Sequence, residues 1–200
     1  VKARRSAAYG GSHEDTESFD DMEWLGERSQ KVKVRGVTVW AAEGGLVHGI
    51  QAHYLLCDGD SCMPLDGPKH IKDEANAPPP RRIALDPETQ YIREVSGRSG
   101  ALLDRLELAI GSKPSGETKT EAFGGTGGDA FRCEVPKEHE FVAFHGGFGG
   151  HVHRVGIYAR PLEAGQDKEG GACATTVFNE PAQTGGGPAG TAAAAAAAAT

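Results

Sequence analysis

The strongest constraint on this chain is the length of its apolar runs. Seven segments rich in β-branched and apolar residues, at 31–40, 49–56, 81–85, 90–97, 103–110, 140–144 and 154–162, stop within ten residues at Gly, Pro or Asp. Runs this short predict an all-β fold. In KVKVRGVTVW (31–40), Val32 and Val34 share one parity and Val37 and Val39 the other, as a glycine at a bulge or bend would produce at Gly36. LLDRLELAI has helical character, but its length and flanking glycines favour a strand. Cys133 is expected on a further strand.

Loops are expected where Gly and Pro cluster: GDSCMPLDGPKH, ANAPPPRR, GSKPSGETK and GGTGGDA. The stretch from Asp58 to Arg82 is expected to be the least structured. Three stretches align as an internal repeat: GGLVHGIQAHY (44–54), GRSGALLDRLELAI (97–110) and GGFGGHVHRVGIY (146–158). Each is a glycine-rich loop leading into an apolar strand. In this alignment His48, Asp104 and His153 are equivalent, which implies three similar units around one core.

Charge and composition narrow the function. With 21 Lys and Arg against 28 Asp and Glu, the formal charge of -7 argues against a nucleic-acid partner. No run approaches the roughly 20 apolar residues that a membrane-spanning helix needs. The chain starts at Val1, so compartment is not legible from its beginning. Residues 163–200, Gly/Ala-rich and ending in an alanine tract, are expected to be a disordered tail. Cys57 and Cys62 are expected either as free thiols or as one local bridge, not as a zinc site.

The histidine-bearing loop HGGFGGHVH admits three readings. His151 and His153 lie two apart and could share an ion, but no acid is placed to complete a metal set, so the histidines are expected to be exposed or satisfied by backbone groups. Nucleophilic catalysis lacks a G-x-S-x-G elbow, and a dinucleotide loop lacks its strand-to-helix context. The third reading is a glycine loop gripping a sugar. Backbone N–H groups donate to vicinal hydroxyls and one carboxylate accepts from two of them, with no cofactor.

YGG and SFDD near the start, HGIQAHY, IALDPETQYIREVSGRSG, TEAFGGTGG and FVAFHGGFGGHVHRVGIY together resemble the jacalin-related lectins, in order across the chain. The resemblance implies a β-prism of three four-stranded Greek-key sheets with pseudo-threefold symmetry. It places a lectin domain at 7–162 after an extension at 1–6. It also implies a non-enzymatic binder of mono- or oligosaccharides, mannose-type rather than galactose-type, with possible self-association through edge strands. The family's principal site combines an N-terminal loop glycine with a GxxxD loop. Here the first element falls on Gly11 and Thr16, in a loop lengthened by HEDT, and the second on Gly149, Gly150, His151, Val152 and His153. His153 stands where the aspartate is expected. The middle repeat carries a complete GxxxD: Gly100, Ala101, Leu102, Leu103 and Asp104. The alternative there is a turn-capping Asp104 paired with Arg98 or Arg105. The alternative for the whole chain is a jacalin-like fold kept for structure or protein interaction.

Overall fold

A computed structural model describes residues 2–162. In chain order its elements are β1 (Arg4–Arg5), β2 (Tyr9–Gly10), β3 (Glu17–Asp20), α1 (Asp21–Leu25), a 3-10 turn (Gly26–Gln30), β4 (Val32–Ala41) and β5 (Val47–Asp58). There follow β6 (Ser61–Asp66), β7 (Pro80–Ala84), β8 (Gln90–Ser99), β9 (Leu103–Ser112), β10 (Thr118–Gly124), β11 (Asp129–Glu134), β12 (His139–Phe148) and β13 (Val152–Pro161).

These strands form three antiparallel sheets, each built on one long central hairpin. In the second sheet the order is β6-β5-β4-β7 and in the third it is β10-β9-β8-β11. The strand after each hairpin therefore pairs with the hairpin's second strand, and the next crosses back to its first, which is a Greek key. The first sheet has the same plan with the chain ends joined into it. Its hairpin is β12-β13, β1 and β2 together pair with β13, and β3 pairs with β12. Residues 4 and 5, expected in an extension, thus pair with Ala159 and Tyr158.

The strand registers give the threefold relation residue by residue. Each central hairpin carries two bulges, between Val34/Gly36 and Trp40/Ala41, between Ile92/Glu94 and Arg98/Ser99, and between Phe141/Ala143 and Gly147/Phe148. The last pairs before the tips are Ala41↔Val47, Ser99↔Leu103 and Phe148↔Val152. The residues one step beyond these partners are His48, Asp104 and His153. The sequence alignment of the three repeats holds in space. Gly36 lies next to a bulge, as the parity change in β4 predicts.

Inward-facing residues of all three sheets meet in one core. Val37, Val39, Ile50 and Tyr54 come from the second sheet, Val95, Leu106 and Leu108 from the third, and Phe144, Val155 and Ile157 from the first. Burying each contributes roughly 1.5–3 kcal/mol relative to exposure, before the chain-ordering cost is counted. Asp20 caps α1 by accepting from the Glu23 amide at 3.1 Å, and Gly26 ends it with a positive φ of 55° that glycine tolerates.

Two segments differ from the loops expected of them. Ser61–Asp66 forms β6, because it pairs with β5 as an edge strand, where Pro64 lacks no obligatory ladder bond. His145–Phe148 is strand, not loop, with Gly146 opposite Val155 and Gly147 opposite Arg154. Only 149–151 remain as a tip. The Cys57 and Cys62 sulfurs are bridged, directly across the β5–β6 pair. The expected tail, 163–200, lies outside the described residues.

Candidate functional site

The three hairpin tips, 42–46, 100–102 and 149–151, converge at one end of the molecule. A Cβ on Gly125 would lie 2.5 Å from the Gly44 carbonyl oxygen. The His48 and His151 rings are 4.3 Å apart between centroids, and the His13 Nε2–H···O=C contact to Ala101 is 2.9 Å long. Each tip is flanked by the loop joining the two outer strands of its own sheet. In the third sheet this is 125–128, and in the first it is 11–16.

In the third sheet these two loops enclose a carboxylate. The Gly100 amide donates to the Leu102 carbonyl at 2.9 Å, which closes the tip, and the Gly125 amide donates to the Asp104 carbonyl at 2.8 Å. The Asp104 side chain lies against Gly127 and Gly128, where a Cβ on Gly128 would meet Oδ2 at 2.6 Å. Any larger residue there would collide with the carboxylate. Arg98 instead donates to the Gly127 and Gly128 carbonyls, at 3.0 and 2.6 Å, and Arg105 pairs with Glu107 at 2.6 Å. Among the described residues no group hydrogen-bonds the Asp104 carboxylate, so the alternative in which an arginine neutralises it does not hold. Leu103 is fully buried and Leu102 half-buried, while Gly100 and Ala101 are exposed, with the Gly100 amide and the Ala101 and Leu102 carbonyls bonded within the protein.

The first sheet repeats this backbone with different side chains. Gly149 donates to the His151 carbonyl at 2.8 Å, and Gly11 donates to the His153 carbonyl at 3.1 Å. Because Glu17 pairs with Phe148 and Asp129 with Ser99, register makes Thr16 the counterpart of Gly128. Gly and Asp in one site are thus Thr and His in the other. The Thr16 hydroxyl accepts from the His13 amide at 2.7 Å and is hydrogen-bonded to His153 Nδ1 at 2.6 Å. With the ring proton on Nε2, which lies 4.0 Å from the Asp15 carboxylate, this bond uses the one lone pair a neutral imidazole offers. A Cβ on Gly149 would meet Asp15 Oδ2 at 2.6 Å and His153 Cε1 at 2.8 Å. The inserted residues therefore close over this tip. His153 is 3 % exposed, and Val152 is fully buried, with Gly150 exposed at the turn.

Burial is the main cause that lowers the His153 pKa, opposed by Asp15 and reinforced by His13 and His151. His48 is lowered by burial and by its neighbour His151. The His151 and His153 rings go to different partners, His48 and His13 respectively. Among the described residues no group of three or more His, Cys, Asp or Glu is arranged to hold a metal ion.

Every site residue expected from sequence falls into one of these two loop pairs. The sequence reading expected GGTGGDA as a loop but did not place it in the site, and it missed the covering role of His13 and Asp15. The signal for the former was GGTGG, which directly precedes β11 as GGSHEDT directly precedes β3 and is two residues shorter.

The jacalin-like lectin domain family model matches residues 6–158. No curated protein sequence matches the chain. Similar solved structures include a mannose-specific jacalin-related lectin from Morus nigra in complex with mannose, at 18 % identity and TM-score 0.60, covering 80 % of this chain and 95 % of that one. A mannose-binding jacalin-related lectin from Ananas comosus matches at 22 % identity and TM-score 0.59, covering 80 % and 99 %. Malaysian banana lectin matches at 16 % identity and TM-score 0.55, with the same coverage.

Proposed function

This chain belongs to the jacalin-like lectin domain family, and from that premise we propose that it binds mannose-type carbohydrate without a metal, at the loop pair 100–104 and 125–128 of the third sheet. The observation that carries this reading is the Asp104 carboxylate, which is held between two glycine loops and keeps its acceptor capacity. Two carboxylate oxygens can accept from a pair of vicinal hydroxyls, while backbone N–H groups of the tip donate to the same sugar. The glycines at 127 and 128 leave the room for close approach. The solved relatives support a sugar of the mannose class, since they are described as mannose-binding.

In the first sheet the acceptor is satisfied within the protein, and we assign that loop pair a structural role. This difference also favours a second reading, in which the fold serves protein contacts and no sugar is bound. The two readings separate in one experiment. Affinity per site is expected in the range of about millimolar to micromolar, so binding is best read on a multivalent surface. Glycan-array binding of the chain in EDTA is expected for mannose-terminated glycans and is expected to disappear in Asp104→Ala. Failure of the unsubstituted chain to bind any glycan would leave only the second reading.

A further inference from the structure

A second recess lies at the opposite end of the molecule from the hairpin tips, where the first residues of β4, β8 and β12 meet. Its volume is about 510 Å³, within the range of small-molecule sites. The floor is apolar, formed by Val34, Ile92, Val135 and Phe141. Tyr91 and Leu162 stand at its rim with 37 % and 47 % of their surface exposed.

The wall carries many charges, and most are already matched. Glu88 is paired with Lys33 at 2.8 Å, Glu94 and Glu134 with Arg132 at 2.7 Å each, and Glu140 with Arg160 at 2.6 Å. Arg93 donates to the Thr118 hydroxyl at 3.0 Å. Lys113 and Lys137 are in no ion pair among the described residues, and Lys113 sits 5.8 Å from the centre of the Tyr91 ring. The remaining acid, Glu138, holds a left-handed backbone (φ 60) that is uncommon outside glycine. The turn is fixed by the Leu162 amide donating to the Glu138 carbonyl at 2.8 Å. Beside it, His139 Nδ1–H donates to the Lys137 carbonyl at 2.8 Å, and its buried Nε2 has no partner among the described residues.

We propose that this recess binds a small aromatic carboxylate, with its ring on the Val34, Ile92 and Phe141 floor against Tyr91 and its carboxylate between Lys113 and Lys137. The proposal concerns a site remote from the sugar loops and is independent of the carbohydrate reading.

The test is calorimetric titration of the full chain with 1-naphthoate and, separately, with 1-naphthylmethylamine, its cationic analogue. Naphthoate is expected to bind, the amine at least about tenfold more weakly, because the two unmatched lysines attract one and repel the other. The surface substitution Lys113→Glu/Lys137→Glu is expected to reverse that preference, and saturating methyl mannoside is expected to leave naphthoate affinity unchanged. Absence of naphthoate binding, equal binding of the two probes, or binding unaffected by the double substitution would overturn the proposal.

Discussion

Asp104 and His153 occupy the same position in two sheets, and the acceptor capacity of their side chains separates an open loop pair from a closed one. A carboxylate with no donor beside it retains both oxygens for a ligand, whereas a neutral imidazole has one lone pair, and His153 Nδ1 is already hydrogen-bonded to the Thr16 hydroxyl. The exchange is paired, since Thr at the place of Gly128 supplies the hydroxyl that the imidazole needs. A third histidine shows the same physics without a ligand. His145 is 1 % exposed, with the Arg5 guanidinium 3.2 Å from Nδ1. Burial, with Arg5 adding to it, lowers its pKa from 6.5 to about 4. The unfolded chain therefore binds this proton more readily, and the stability associated with neutral His145 is present above pH 6.5 and lost as pH falls toward 4. Integrated across that window the effect is on the order of 3 kcal/mol. The His145 ring resonance is expected to stay at its neutral position down to about pH 5 by NMR. Titration near 6.5 would show that burial does not act as described.

At the scale of elements, the long hairpins carry the fold and the short outer strands complete it. The outer end of the β5–β6 ribbon, Leu55–Asp58 against Ser61–Pro64, has exposed or half-buried residues only, although Leu55 and Leu56 still pair with Lys33 and Val32 of β4. Such a ribbon buries little apolar surface, and its two-residue turn at Gly59 (φ 61) sets the register while the Cys57–Cys62 bridge locks it. Closing a loop this small removes chain entropy from the unfolded state, by about 2 kcal/mol in the loop-entropy account. Cys57→Ser/Cys62→Ser is accordingly expected to lower unfolding free energy by about that amount in urea titration and to leave glycan binding intact. A loss of binding would tie the ribbon to the remote tips, which the contacts between elements do not suggest. The ribbon was also hard to read from sequence. Ser61–Asp66 has no alternating pattern and contains Pro64, so only its partner β5 makes it a strand.

At the scale of the whole molecule, the threefold plan was legible because each repeat keeps its spacing. His48, Asp104 and His153 stand one step past the last pair of their hairpins, and their equivalence was visible as offsets between three stretches of sequence. The long strands could be read from apolar runs, and the parity change at Gly36 marked a bulge. What sequence did not reveal is set by contacts between distant segments. Arg4 and Arg5 become strand only because β13 returns to pair with them. Gly127 and Gly128 become neighbours of Asp104 only when β10 and β11 flank the β8–β9 hairpin. Asp15 covers Gly149 only through an insertion whose path no pattern fixes. One domain thus presents related loop pairs at a single end, of which the third sheet's is open and the first sheet's is closed. The most direct test is a 15N-resolved NMR titration of the chain with methyl α-mannoside. The account predicts saturable shifts at the amides of 100–104 and 125–128 with 149–153 unmoved, and shifts centred on 149–153 and 11–16 would contradict it.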